Sequence, residues 1–274
     1  MKFTIFGSSG FIGRSLAAYL RSRGYEVQTP MRNNVEFKND FLGHVIYAIG
    51  MTGNFRKLPF DTVDAHVCAL KQRLQYASYE SWLYLSSTRP YGVGEMGTHE
   101  TNQIATTPSI DGIYNISKLL GESLCLAIES PKVRVARLSN VYGIGQSQHT
   151  FLGAVISQAF SSLRVEIQET RESCKDYISI QDVMPLVESI AIDGKERIYN
   201  LASGINTTHL ELSNEISRLT GANIDYLCNG ILRKNSPIDI TRIKSEFSYT
   251  PTRILVDLER FLKEWEINTS KNIS

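Results

Sequence analysis

Tyr114 and Lys118 stand four residues apart, so on a helix they share one face, a single turn from each other. A phenol titrates near ~10 on its own, too high to exchange a proton readily at neutrality. A neighbouring ammonium favours the phenolate and lowers that value. Ser87 or Thr88, closing the strand-like run Trp82–Ser86, offers a hydroxyl to orient the proton. Together these groups suit general acid–base work on a carbonyl. Y-x-x-x-K by itself is commonplace and more often a solvated pair on a helix. It acquires meaning from a second feature, Gly7-Ser8-Ser9-Gly10-Phe11-Ile12-Gly13, directly behind the apolar run Lys2–Phe6.

A glycine trio needs a strand before it and a helix after it. Residues 2–6 suit a buried parallel strand, and from Phe11 the residues Ile12, Leu16, Tyr19 and Leu20 recur at helical spacing until Gly24. Gly7 permits a sharp turn, Gly10 lets backbone approach a pyrophosphate, and Gly13 lets helix and strand pack closely. Ser9, Phe11 and Ile12 complete the turn, where the helix N-terminus presents free N–H groups and a partial positive charge to phosphate. Ala48, Ile49 and Gly50 end another strand with small groups that admit a nicotinamide ring. At the end of the second strand, Thr29-Pro30-Met31-Arg32 has no acid for a ribose 2′-hydroxyl. Arg32 instead suits a 2′-phosphate, which favours NADP(H) over NAD(H).

Strand-like runs at 25–29, 44–50, 82–86 and 133–138 alternate with helical patterns at 60–79 and 113–127. This rhythm predicts an α/β fold, a Rossmann-type doubly wound parallel sheet. Beyond about residue 145 it loosens, with short segments near 177–180, 198–202 and 224–227 and a final helix near 255–265. The expected division is a dinucleotide-binding domain over 1–145, with returning segments near 175–202. The remainder of 146–274 is expected to form a small α/β substrate-binding region.

Charge is nearly balanced, 29 basic against 28 acidic residues, which argues against a nucleic-acid or membrane partner. No apolar stretch approaches the ~20 residues of a membrane span, and the N-terminus lacks an export pattern. The four cysteines, Cys68, Cys125, Cys174 and Cys228, form no C-x-x-C pair. They read as reduced thiols in a cytoplasmic protein, with Cys125 in a core, and no cluster of ligands suggests a metal.

The chain resembles an extended short-chain dehydrogenase/reductase of the nucleotide-sugar epimerase/dehydratase/reductase type. The glycines have that family's G-x-x-G-x-x-G spacing. Leu85-Ser86-Ser87-Thr88-Arg89-Pro90-Tyr91-Gly92 is similar to its S-S-x-x-V-Y-G segment, and Tyr114-Asn115-Ile116-Ser117-Lys118 to its Y-G-x-S-K. Arg137 to Gly143 resembles R-x-x-N-x-x-G, and Lys175 to Val183 resembles R-D-Y-I-x-V-x-D-V. Tyr199-Asn200-Leu201-Ala202 and Tyr249-Thr250-Pro251 also fit.

The resemblance implies Ser87, Tyr114 and Lys118 as catalytic groups. It implies a nucleotide sugar held by Thr88, Arg89, Asn140 and Lys175, the last where a phosphate-binding arginine is usual. Arg233 is a stand-in for an absent arginine clamp, and a homodimer through a helix pair including 111–130 is implied. After Thr88 stands Arg89, where sugar-nucleotide dehydratases show Asp-Glu, which argues against 4,6-dehydration. His66 occupies a position where the family often has asparagine, and reads as a satisfied buried histidine. Only a short stretch separates Arg32 from Val45, so the second crossover is abbreviated. Three readings follow: an NADPH-consuming reductase of a 4-keto sugar, an epimerase with retained NAD, and a non-catalytic dinucleotide-binding regulator. The last has no need of Ser87, Tyr114 and Lys118 together.

Overall fold

The computed structural model describes residues 1–31, 40–94 and 97–271, so Arg32 lies outside the described residues. Strand β1 (Lys2–Phe6) runs into helix α1 (Phe11–Ser22), and β2 (Glu26–Gln28) and β3 (His44–Tyr47) both pair with β1 in parallel. A helical run follows as α2 (Pro59–Val63), one π-helical turn over Asp64–Cys68, and α3 (Ala69–Tyr76). Next come β4 (Ser81–Ser87), α4 (Gly112–Leu126) and β5 (Val133–Leu138). Helix α6 (Ile180–Asp193) returns the chain to β9 (Ile198–Leu201), which completes a six-stranded parallel sheet in the order β2-β1-β3-β4-β5-β9.

The fold is thus the α/β doubly wound type expected, with one difference. The usual order of such sheets is 3-2-1-4-5-6. Here, among the described residues, no strand lies outside β2, and the next strand after β2 already stands on the far side of β1. The direction of winding reverses between β1 and β3. Open α/β sheets bind ligands at the carboxyl ends of the strands beside such a reversal.

Both faces of the sheet are covered. On one, α1 and α6 bury Leu16, Leu20, Val187 and Ile190 against Phe3, Ile5, Ile46 and Leu83. On the other, Leu70, Leu74 and Cys125 pack on Tyr47, Trp82, Tyr84 and Val135. Near-continuous burial along β3, β4 and β5 is what a sheet covered on both faces requires.

Past residue 139 the chain is more regular than its sequence pattern suggests. It forms β6 (Asn140–Tyr142), α5 (Phe151–Ser162), β7 (Arg164–Glu169), β8 (Cys174–Ser179), β10 (Asn206–Thr208), α7 (His209–Thr220) and β11 (Asn223–Ile231), then α8 (Thr241–Phe247) and α9 (Ile254–Lys271). A separate apolar cluster joins Ile156, Val165, Leu212, Ile216, Leu258 and Phe261. Buried polar groups tie this region to the sheet. Asp176 accepts from the Ser139 and Ser203 hydroxyls and the Ser203 and Ile205 N–H groups. Asp182 accepts from Tyr249 and Thr252, which explains the Y-T-P segment. No helix among the described residues is long and apolar enough to cross a membrane.

Candidate active site

The glycine turn behaves as its spacing predicts, and each glycine has a different reason. Gly7 adopts φ +88°, and a Cβ there would lie 2.7 Å from the Ala48 carbonyl carbon. The turn after β1 therefore abuts the turn after β3. A Cβ on Gly13 would collide with the Gly7 carbonyl, so α1 can approach its strand only with hydrogen at this position. Gly10 is different: a Cβ there would meet nothing nearer than 3.4 Å. It is the N-cap of α1 without a side-chain cap, and no acid lies in the first turn. The protein's own packing does not demand glycine at 10, whereas a phosphate seated on the free N–H groups of Phe11, Ile12 and Gly13 would. The cradle fits a dinucleotide pyrophosphate.

Strand β4 and helix α4 carry Ser87, Tyr114 and Lys118, the groups expected to react. Tyr114 is 5 % exposed and has the Ser87 and Thr52 hydroxyls within hydrogen-bonding reach. Burial raises its pKa above that of a free phenol, while the Ser87 bond, the Arg89 charge and the Thr52 bond each oppose the rise. The expectation that the Lys118 ammonium does this lowering is corrected. Lys118 donates to the Leu85 carbonyl at 2.9 Å, and burial brings its own pKa down to about 7, against a smaller opposing pull from Glu122. The cation over the face of the Tyr114 ring is Arg89, 5.2 Å from its centroid. Gly50 closes the gap to the cofactor loops, since a Cβ there would lie 3.4 Å from Lys118 Nζ and 3.6 Å from His66 Nε2.

His66 sits in the π-helical turn, fully buried, with its ring edge-on to Tyr114 at 5.3 Å. The Met51 N–H donates to Nε2 at 3.1 Å, so the proton of the neutral ring is on Nδ1. Nδ1 then donates to Ser117 Oγ at 2.8 Å, and that hydroxyl donates to the Tyr114 carbonyl at 3.0 Å. Burial first, and the Lys118 charge second, hold its pKa down at about 2. The satisfied buried histidine read from the sequence is found, and it links the loop after β3 to the first turns of α4. Beneath them, Arg137 pairs with Glu122 of α4 at 2.7 Å and donates to the Tyr91 hydroxyl at 2.8 Å, fixing α4 to the sheet.

The residues expected to meet substrate separate into three groups. Arg89 lies with Tyr114, and its backbone N–H donates to Ser87 Oγ. Thr88 turns its hydroxyl toward the Leu138 carbonyl at 3.4 Å, and Asn140 donates its amide to the Asp176 carbonyl at 2.8 Å. Lys175 and Arg233 converge instead on Glu169, at 2.8 and 3.4 Å. Around them Phe151 stacks on His209 at 4.1 Å, with Lys175 Nζ 4.1 Å above the Phe151 ring. Burial and the Lys175 charge hold the His209 pKa down at about 4, so the cluster carries two cations against one carboxylate at neutral pH.

Sequence reasoning missed Thr52, Phe55 and Glu169. The first two follow the end of β3, where the strand-end rule points, and the alternation Arg164-Val165-Glu166-Ile167-Gln168-Glu169 marks a half-buried strand ending at the third. A cavity of about 400 Å³ lies elsewhere, between the flank of α1, α6 and α9. Its Arg260 is already paired with Asp257 and Glu264, and its α1 residues come from the far end of that helix.

The parallel sheet with its glycine turn, and the Ser–Tyr–Lys constellation beside it, define a dinucleotide-dependent enzyme of the short-chain dehydrogenase/reductase type. Residues 62–202, just over half of the chain, match the model of the NAD dependent epimerase/dehydratase family, and the chain belongs to that family. It uses a nicotinamide dinucleotide. A curated relative from Kitasatospora kifunensis, dTDP-6-deoxy-L-talose 4-dehydrogenase (NAD(P)(+)), is 21% identical over 304 residues, covering 95% of this chain and 94% of that protein. Among solved structures, TunA, an NAD-dependent NDP-hexosamine 5,6-dehydratase of tunicamycin biosynthesis, superposes with a TM-score of 0.85 at 18% identity, covering 97% of this chain and 98% of that one. RMD from Pseudomonas aeruginosa, solved with NADPH, gives 0.82 at 22% identity, covering 98% and 100%.

Proposed function

We propose that the protein reduces the keto group of a nucleotide-linked sugar, as a 4-ketoreductase that consumes NADPH. The observation that carries this reading is the convergence of Ser87, Tyr114 and Lys118 beside Gly50 and the glycine turn, with Arg89 in place of a dehydratase acid. The relative from Kitasatospora kifunensis, named for a 4-dehydrogenation with NAD(P), supports it.

A bound nicotinamide supplies the hydride. Gly7, Ser9, Gly10, Phe11, Ile12 and Gly13 hold the pyrophosphate, and Ala48, Ile49 and Gly50 admit the ring. Tyr114 Oη gives a proton to the substrate carbonyl oxygen, and Ser87 Oγ hydrogen-bonds that oxygen. Burial keeps the phenol protonated at neutral pH, which suits a donor in reduction better than a base in oxidation. Lys118 holds the cofactor ribose, while Thr88 and Asn140 contact the sugar nucleotide once their present backbone bonds are exchanged. Lys175 and Arg233 take the diphosphate in exchange for Glu169.

The preference for NADP(H) rests on Arg32 in the sequence. The parallel sheet serves the cofactor and the later region the substrate. Exposed Ile116 and Leu120 on α4 support a homodimer through that helix, and four free cysteines support a cytoplasmic location. The test is the nucleotide released on denaturing freshly purified protein, followed by titration with NADPH and NADH. The reductase reading expects an empty protein that binds NADPH more tightly. Stoichiometric NAD would replace it with an epimerase that retains its cofactor.

A further inference from the structure

Arg89 occupies an unusual place. Its guanidinium lies 4.7 Å above the Phe55 ring and 5.2 Å above the Tyr114 ring, which are themselves 5.4 Å apart. Stacking on two aromatic faces fixes the plane of the group without using its N–H donors. Among the described residues no carboxylate pairs with it: nearby Asp111 is taken by Arg56, which also stacks on Phe55. Partial dehydration lowers the pKa of Arg89, a cost that an anionic partner would reverse.

The site thus holds two surpluses of positive charge, close enough together that the Arg233 charge helps to lower the pKa of Arg89. One is at Lys175, Arg233 and Glu169, where two cations share one carboxylate. The other is Arg89, against the reacting tyrosine. A nucleoside diphosphate hexose has negative charge only at its diphosphate, for which Lys175 and Arg233 already offer two cations, whereas Arg89 lies against the tyrosine proposed to react. A planar guanidinium with free donors is matched by a carboxylate, through two parallel hydrogen bonds. Held on the face of Tyr114, those donors would face a group on a ring carbon next to the carbonyl that Tyr114 is proposed to protonate. The diphosphate is attached across the sugar ring from a carbonyl at C4.

Resting on the nucleotide-sugar reading above, we propose that Arg89 binds a carboxylate on the carbon adjacent to the reacting one. The substrate class is then a nucleotide-linked sugar acid, a hexuronate or its keto form. Isothermal titration with cofactor present tests this on matched pairs: UDP-glucose and UDP-glucuronate, dTDP-glucose and dTDP-glucuronate, GDP-mannose and GDP-mannuronate. On the nucleotide that the protein accepts, the uronate is expected to bind about tenfold or more tighter, the scale of a charge-assisted bond. Arg89→Gln is expected to bring the uronate down to the hexose, and Arg89→Lys, which keeps charge but not the fork, to restore part of the difference.

A purely structural clamp on Phe55 would not move that ratio. Equal affinities in the wild type, or a preference that survives Arg89→Gln, would overturn the proposal. An equal loss for both members of a pair in Arg89→Gln would assign Arg89 to the diphosphate and overturn it too. If no sugar in any pair binds better than its bare nucleotide, the nucleotide-sugar reading itself fails, and the proposal with it.

Discussion

The two ends of the candidate site are built differently. At the reacting end, Tyr114 and Lys118 are buried, His66 uses both ring nitrogens, and the Arg137–Glu122 pair lies under the helix that carries them. At the other end, Lys175 and Arg233 lean on a single carboxylate at the rim of the short β7–β11 sheet, and Arg233 is 48% exposed. The first arrangement pins Tyr114 in place, as the general acid proposed for it must be. On the proposed reading the second exchanges one anion for another. Its cations already have a partner, so an incoming phosphate gains only the difference between Glu169 with water and itself. On the proposed reading, chemistry belongs to the sheet and recognition to the later region.

This contrast is most directly broken at Tyr114. Tyr114→Phe is expected to lower turnover by about 10³-fold, within the usual range for a lost general acid, while cofactor affinity measured by fluorescence titration changes little. Retained turnover would remove the reacting end from its assigned role.

The pH dependence of stability probes how tightly that end is pinned. His66 is held neutral to about pH 2, whereas in the unfolded chain it takes up a proton near ~6.5. Below that value the unfolded state binds more protons, so stability falls as the pH falls. His66→Asn removes the group from both states. Between pH 6.5 and 4.5 its stability in urea melts should fall by about 2 kcal/mol less than the wild type's. His44 and His209, whose pKa values are also lowered, remain in both proteins and cancel. Parallel pH profiles for the two proteins would show that His66 is not buried in solution.

Two glycines sharpen the distinction between packing and ligand. Gly13→Ala forces a Cβ into the Gly7 carbonyl and is expected to cost about 1–3 kcal/mol of stability. Gly10→Ala meets only ordinary contact at 3.4 Å, so its melting temperature should hold while cofactor affinity drops about tenfold. Loss of stability in both would make the turn a packing device.

The smallest effects belong to the loosely held end. Lys175→Met should raise KM a few-fold with kcat nearly unchanged, and Glu169→Gln, by freeing both cations, should tighten binding of the nucleoside diphosphate product by a similar factor. Equal effects on kcat from these and from Tyr114→Phe would erase the division between the two ends.

Much of the reacting end is legible in the chain because its chemistry is local. The turn at Gly7–Gly13 and the pair Tyr114–Lys118 each lie within a single turn or helix, where spacing dictates geometry. The C-terminal region is harder to read. Helix α6 contains Pro185, which hides its periodicity, and β7 and β11 are parallel partners far apart in sequence. Helical patterning did reveal the long run over 60–79, but not the π turn that swings His66 onto Tyr114.

The amino-acid sequence by itself determined the alternating architecture, the glycine turn and the shared helix face of Tyr114 and Lys118, because backbone freedom and side-chain period act over a few residues. Which cation sits on Tyr114 was decided only by tertiary structure. Lys118, four residues away, turns to the Leu85 carbonyl, whereas Arg89 reaches the ring from another strand end. The same holds for the union of Lys175, Arg233 and Glu169. Charges interact through space, and which charges meet depends on how the strands are ordered and the loops closed.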